Sequence, residues 1–81
     1  MTRLELRNIP AREIAESLLA QFGGENGAGG VTGEGWSVAL IAGESAFVGR
    51  FRVPVLFVDV SGAREGEVVQ FLRLKTMRGG G

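Results

Sequence analysis

Cysteine and histidine, two residue types on which much protein chemistry depends, are missing from this sequence of 81 residues. Without cysteine the chain can form no disulfide, thiolate nucleophile or cysteine-ligated metal site. Without histidine it lacks the side chain that titrates nearest neutral pH and the commonest metal ligand, and no serine can belong to a Ser-His triad. We therefore expect a non-catalytic protein with no cofactor and no metal site.

An excess of charge of one sign is also missing, because nine Lys and Arg balance nine Asp and Glu. A neutral chain lacks the broad positive field that is typical of proteins that bind nucleic acid or membrane surfaces. No apolar run approaches the roughly 20 residues of a membrane span, and residues 1–7 alternate charge where a signal peptide is continuously apolar. We expect a cytoplasmic protein with no membrane contact, and we do not favour nucleic acid as its partner.

What the chain does have is a large apolar fraction, 44%, in a short length. We interpret residues 1–78 as a single α+β domain and residues 79–81 as a glycine tail. A domain of this size buries a modest share of its surface, so its stability margin is small unless a partner adds to it. The composition therefore favours a homodimer, or another protein partner.

The most apolar stretch is residues 53–60, in which seven of eight side chains are apolar or proline. Its β-branched and aromatic residues predict a strand at the centre of a sheet, covered on both faces. Pro54 cannot donate to a sheet ladder, so it belongs at the start of this strand or at a bulge.

The first 22 residues predict a strand and then a helix. Leu4 and Leu6 alternate with charged residues, as in an outer strand with one wet face. From Ala11 to Phe22 the apolar residues recur at helical spacing, and Gly23 can end the helix in a left-handed conformation.

Seven glycines lie within residues 23–35. They do not satisfy the Gly-x-Gly-x-x-Gly pattern of a phosphate-binding turn, since Thr32 stands where the last glycine belongs, and the run follows a helix instead of a strand. We predict a flexible loop with a short strand near Val31.

Trp36 to Ala42 alternates as a strand, and Gly43-Glu44-Ser45 predicts a hairpin turn into a returning strand, Ala46–Arg52. In that strand Phe47 and Phe51 share one face, and Arg50 and Arg52 share the other. The returning strand could also continue into residues 53–60 as one long bent strand.

Residues 67–75 fit either a strand or part of a helix over 63–78. The sequence Ala63-Arg64-Glu65 repeats Ala11-Arg12-Glu13, which opens the first helix, and this repetition favours the second helix. Leu74 and Met77 lie off its apolar stripe, so we predict that they are exposed and take part in self-association.

The resulting order of strand, helix, three or four further strands and helix predicts a two-layer α+β sandwich: an antiparallel sheet of four or five strands with two helices on one face. This order resembles the TATA-binding-protein-like fold, including the small C-terminal domain of phosphohexomutases. The phosphate-binding loop of those mutases is rich in Arg, Ser, Gly and Thr. Residues 42–46 contain no arginine and one glutamate, so the resemblance implies no phosphate site. A ferredoxin-like sheet is the alternative if 67–75 is a strand.

Gly79-Gly80-Gly81 resembles the di-glycine tails of ubiquitin-like carriers. Those carriers have a β-grasp order of strands, which does not fit a first strand followed directly by a helix. We interpret the tail as a frayed end.

Few residues remain as candidates for chemistry. Asp59 could be a general acid if burial raised its pKa, or it could cap the following turn or helix, or pair with an arginine such as Arg50 or Arg64. Four arginines could form a weak binding patch for nucleic acid or a phosphate ligand on the sheet: Arg3, Arg7, Arg50 and Arg52. A solvated face explains these arginines as well, and so do cross-strand ion pairs with Glu5. The leading hypothesis is a small, self-associating protein-interaction domain.

Overall fold

The computed structural model describes residues 1–77, with side chains described through Thr76. In chain order the elements are β1 (Thr2–Arg7), α1 (Ala11–Phe22), β2 (Glu25–Gly27), β3 (Gly30–Gly33), β4 (Trp36–Ala42), β5 (Ala46–Val48), β6 (Phe51–Val53), β7 (Val55–Ser61) and α2 (Glu65–Met77). Neither helix of this described part is long and apolar enough to cross a membrane.

Five strands form one antiparallel sheet in the order β1-β7-β4-β3-β2, and β5 and β6 form a separate two-stranded hairpin. Both helices contribute to one core on a single face of the five-stranded sheet. The predicted two-layer α+β sandwich is therefore confirmed. Residues 67–75 lie within α2, so the condition for the ferredoxin-like alternative is not met.

The core lies between the helices and alternate residues of β7 and β4. Val58 and Val60 of β7 are fully buried, as are Leu18 of α1 and Leu72 of α2. Burying a valine or leucine side chain contributes about 1.5–3 kcal/mol. The apolar faces of the two helices therefore pack against the apolar face of the sheet.

Strand β7 differs from its prediction in two ways. It lies second from the edge, between β1 and β4, and β4 is the middle strand. Its second face carries Phe57 and Asp59, which are only partly buried. Asp59 and Ser61 alternate with the buried valines, so this part of the strand has one polar face. The helices cover only the other face.

Residues 23–35 contain the predicted short strand near Val31, but they also contain a second strand that pairs with it, so this stretch is not an unpaired loop. Residues 25–27 and 30–33 are strands β2 and β3, joined by a tight turn in which Gly29 has a φ of 85°. A Cβ at Gly30 would overlap the carbonyl of Val38 on the neighbouring strand. Gly29 is needed for a tight turn and Gly30 for the close approach of two strands. The glycine content of a segment does not distinguish these roles from flexibility.

The predicted pairing of residues 46–52 was wrong. Gly43 donates its N–H to the Val55 carbonyl at 2.9 Å, so β4 continues beside β7 and does not turn back. Residues 46–53 instead form their own hairpin, with a turn at Gly49-Arg50. Pro54 separates this hairpin from β7, as predicted.

The turn at Gly49 changes which side chains share a face. Phe47 pairs with Arg52, and Val48 pairs with Phe51, so the two phenylalanines lie on opposite faces. Gly49 has a φ of 62°, which suits a hairpin turn and breaks the strand that the prediction assumed to be continuous.

Helix α1 has the predicted limits. Gly23 follows it with a φ of 75° and donates its N–H to the Leu19 carbonyl at 3.0 Å. An apolar stripe that stops at a glycine pair therefore located this helix without tertiary information.

Candidate interaction surfaces

Strand β1 lies at the edge of the sheet. It pairs with β7 on one side and, among the described residues, with no strand on the other. Asn8 donates its N–H to the Pro54 carbonyl at 2.9 Å, which continues the ladder with β7. Since backbone groups alternate in direction along an antiparallel strand, those of Leu4 and Leu6 also point to β7. The N–H and C=O groups of Arg3, Glu5 and Arg7 therefore point outward from the sheet.

A groove lies between this edge and α2. It is a cavity of about 460 Å³ at one end of β1, and its lining includes Thr2, Val69, Gln70, Arg73 and Leu74. Leu74 is 61% exposed. The exposure expected for Leu74 is thus observed, whereas the side chain of Met77 lies outside the described residues. We call the outer edge of β1 together with this groove the edge surface.

The start of β1 is tied to α2 at the same place. The Thr2 hydroxyl donates a hydrogen bond to Glu65, and the Met1 ammonium lies 3.2 Å from Glu65 Oε1. These contacts lower the pKa of Glu65, the Thr2 hydrogen bond first and the ammonium second. These contacts hold the first residues of β1 against α2 and keep Glu65 ionised at this end of the edge surface.

A second exposed apolar surface is the hairpin formed by β5 and β6. Phe47 and Phe51 are 73% and 75% exposed, and Val48 lies between them in sequence, also exposed. Arg52 donates from Nε to Ser45 Oγ at 3.0 Å, and Arg50 lies in the turn. We call residues 46–53 the aromatic hairpin.

The four arginines proposed as one patch divide between two elements. Arg3 and Arg7 lie on β1, and both are paired with acids: Arg3 with Asp59, and Arg7 with Glu5 at 3.0 Å. Arg50 and Arg52 belong to the aromatic hairpin. The pairing on β1 matches the solvated-face interpretation of those two residues, although Glu5 belongs to the same strand as Arg7.

Asp59 is the only aspartate of the chain. It accepts two hydrogen bonds from Arg3, whose guanidinium also lies 5.1 Å from the centre of the Phe57 ring. The hydrogen bonds lower the pKa of Asp59, against the effect of partial burial, and the positive charge of Arg3 lowers it further. The predicted pairing with an arginine is correct, but Arg50 and Arg64 are not the partner.

Residues with aromatic rings near α1 form part of the core and not a ligand platform. Trp36 is 3% exposed and packs against Phe22, which also contacts Phe71 edge to face, with ring centres 5.5 Å apart. The Trp36 Nε1 is buried and has no hydrogen-bond partner among the described residues. Within residues 1–77, no three acidic side chains come together in a way that could hold a metal ion.

Comparison with known proteins identifies a family. A family described as "Archaeal MoaD-like protein" matches residues 2–81, which is nearly the whole chain. No curated protein matches the sequence. The Gly79-Gly80-Gly81 tail lies within the matched range but outside the described residues, so the interpretation of this tail stays a prediction.

Proposed function

We propose, from the premise that the chain belongs to the archaeal MoaD-like protein family, that it is a small non-catalytic domain that self-associates through the edge surface. The observation that carries this proposal is the position of Leu74. This side chain is 61% exposed and lines a groove beside the unpaired edge of β1. One contact there can complete backbone hydrogen bonds and remove apolar surface from water.

A second copy of the same chain is the partner that this surface fits. An unpaired strand is a template for another strand, and two identical edges can pair across a two-fold axis. The charges of β1 also alternate, with Glu5 between Arg3 and Arg7. A second β1 can therefore place a glutamate opposite an arginine.

The environment of the carboxylates supports a non-catalytic role. Asp59, Glu65 and Glu67 accept hydrogen bonds from neighbouring side chains, and these bonds, more than any other cause, lower the pKa of each carboxylate. A general acid working near neutral pH needs a pKa shifted in the opposite direction. These three groups are therefore suited to ion pairing.

Light scattering coupled to size-exclusion chromatography, over a range of protein concentrations, tests the proposal. We expect the mass to rise from one chain to two. Leu74→Glu should raise the dimer dissociation constant about tenfold or more, because a carboxylate would be placed in an apolar contact. Phe51→Glu is the matched control: Phe51 is 75% exposed on the aromatic hairpin, so this variant should dimerise like the natural chain.

Two results would contradict the proposal. A chain that stays monomeric at every concentration would mean that the charges of β1 protect its edge from pairing. A dimer that Phe51→Glu dissociates and Leu74→Glu leaves intact would place the contact on the aromatic hairpin.

Binding of nucleic acid or a phosphate ligand is the second candidate function. It is favoured by one observation, that Phe47 and Arg52 share a face of the aromatic hairpin, next to Arg50 in the turn. Exposed aromatic rings beside guanidinium groups can stack on bases and contact phosphates. The test is fluorescence anisotropy with a single-stranded oligonucleotide at low and high salt.

The variant for that test is Arg50→Ala combined with Arg52→Ala. Arg12→Ala, on the exposed surface of α1, removes the same kind of charge elsewhere. Binding that weakens with salt and with the double variant alone would support this candidate. Binding that the double variant leaves unchanged would end it.

A further inference from the structure

The two faces of β1 restrict how two copies can pair. Leu4 and Leu6 lie on the helix side of the sheet, and Arg3, Glu5 and Arg7 lie on the open side. Residues directly opposite each other in an antiparallel pair lie on the same face. A two-fold axis between two antiparallel β1 strands must therefore pass through a residue and not between two residues.

Three positions of the axis leave much of the strand paired, and charge distinguishes them. An axis through Glu5 sets Glu5 against Glu5 and Arg3 against Arg7, which places like charges opposite each other. An axis through Leu4 sets Arg3 against Glu5 twice. Directly opposed charges of opposite sign stabilise a strand pair, and like charges destabilise it.

An axis through Leu6 also opposes unlike charges, Glu5 against Arg7, but it pairs less of the strand. It would set Leu4 against Asn8, which has a φ of 62° and leaves the extended conformation. The axis through Leu4 pairs residues 2–6, all of which belong to β1. Its hydrogen bonds come from Arg3 and Glu5, whose backbone groups point outward.

We infer that two copies join by antiparallel pairing of β1 with β1, in the register centred on Leu4. This inference rests on the self-association proposed above and specifies its geometry. The two five-stranded sheets become one continuous sheet with all helices on the same side. Arg3 of each copy then lies opposite Glu5 of the other.

The same register places the groove of α2 across the junction. Thr2, which lines the groove, lies opposite Leu6 of the second copy. Neighbouring strands are about 4.8 Å apart. Helix α2 contacts β7 and also β1 and β4 on either side of it, so the two α2 helices would be about 14 Å apart. Side chains as long as Leu74 and Gln70 can fill such a gap.

Single cysteines test the register directly, because the chain has none of its own. Two residues on the axis face each other at a distance that a disulfide can bridge with small adjustment. Under mild oxidation we expect Leu4→Cys to give a covalent dimer on a non-reducing gel. Glu5→Cys and Leu6→Cys, each the axis residue of a rejected register, should stay mostly single chains.

Two charge variants test the register without changing the core. Glu5→Arg should raise the dimer dissociation constant about tenfold, because arginines would then oppose each other twice. Arg7→Glu should not weaken the dimer, because Glu5 meets residue 7 only in the register centred on Leu6. Both are measured by light scattering on the same concentration series.

The outcomes separate this inference from the proposal on which it rests. Efficient cross-linking of Glu5→Cys or Leu6→Cys instead of Leu4→Cys overturns the register. The register is also overturned if Leu74→Glu dissociates the dimer while Leu4→Cys fails to cross-link and Glu5→Arg has no effect. In that case the proposed self-association would still stand. A monomer at all concentrations overturns both.

Discussion

The Arg3 guanidinium and the Asp59 carboxylate form two hydrogen bonds between β1 and β7, from Nε to Oδ1 at 2.7 Å and from Nη2 to Oδ2 at 2.9 Å. The two residues are direct partners in the strand register. Such a two-point contact has a defined geometry as well as a favourable charge interaction. The pairing of edge strand β1 with β7 therefore depends in part on the ionisation of Asp59.

Stability should therefore depend on pH in the acid range. The pKa of Asp59 is lower in the folded chain than in the unfolded chain, mainly because of the hydrogen bonds from Arg3. Its contribution to the free energy of unfolding is present above the unfolded pKa of about 3.9 and is lost as pH falls through the folded pKa. Urea midpoints at pH 7 and at successively lower pH values should fall most steeply below about pH 4.

Asp59→Asn is the control for this pH dependence. It removes the titrating group, so the decline in urea midpoint below that pH should become shallower. Some decline should remain, because the pKa values of Glu65 and Glu67 are also lowered in the fold. An identical decline in the variant and the natural chain would mean that the Arg3–Asp59 pair contributes nothing to acid stability.

The Arg3–Asp59 pair shows which kind of contact can be predicted from the sequence and which cannot. Pairing with an arginine was one of the alternatives that the sequence offered for Asp59, but the partner, Arg3, lies 56 positions away. Only the register of β1 with β7 brings the two together. Helix α1, by contrast, depends on residues within one or two turns of each other, and its predicted limits agree with the structure.

Gly33→Ala should destabilise the fold, although Gly33 has an ordinary strand conformation. A Cβ at this position would overlap the indole ring of Trp36. Overpacking of this kind typically costs about 1–3 kcal/mol. The measurement is urea unfolding followed by the fluorescence of Trp36, the single tryptophan of the chain.

Gly66→Ala should instead stabilise the fold. Gly66 is exposed near the start of α2, and a Cβ there would have no neighbour within 4 Å among the described atoms. Alanine in place of glycine in a helix contributes up to about 1 kcal/mol. If both alanine variants lowered stability equally, the contact with Trp36 would not be the cause in Gly33→Ala.

Leu18→Ala and Leu74→Ala compare the same chemical change in two environments. Leu18 is fully buried, so its truncation should cost about 2–5 kcal/mol. Leu74 is exposed, and its truncation should change the stability of the monomer by less than about 0.5 kcal/mol. Chemical denaturation at a protein concentration below dimerisation measures both, and a large loss in Leu74→Ala would show that its side chain supports the core.

The surfaces were less predictable than the core. Leu74 could be recognised because it lies off an apolar helical stripe, which is a local pattern. The aromatic hairpin could not, because its pairing depends on β4 continuing beside β7 through the Gly43–Val55 hydrogen bond. That long-range bond removes residues 46–53 from the sheet. Gly49 marks the turn of the hairpin locally, but no local feature indicates the bond between Gly43 and Val55.

Hydrogen exchange should rank the segments by their pairing and not by their composition. Interior strand β7 has neighbours on both sides, so the amides of residues 56–60 should exchange slowest. The aromatic hairpin has two strands of three residues each and exposed side chains. An isolated two-stranded hairpin is marginal in water, so its amides should exchange orders of magnitude faster.

The glycine-rich strand β3 provides the decisive comparison in that experiment. Its composition is typical of a loop, but it pairs with β4 and β2, and Val31 is fully buried. We therefore expect the Val31 and Thr32 amides to be protected well above those of Phe47 and Phe51, measured by mass spectrometry or NMR at one pH. If Val31 exchanged as fast as Phe47, the glycines of residues 23–35 would act as a flexible loop in solution, and the sheet would be one of three strands.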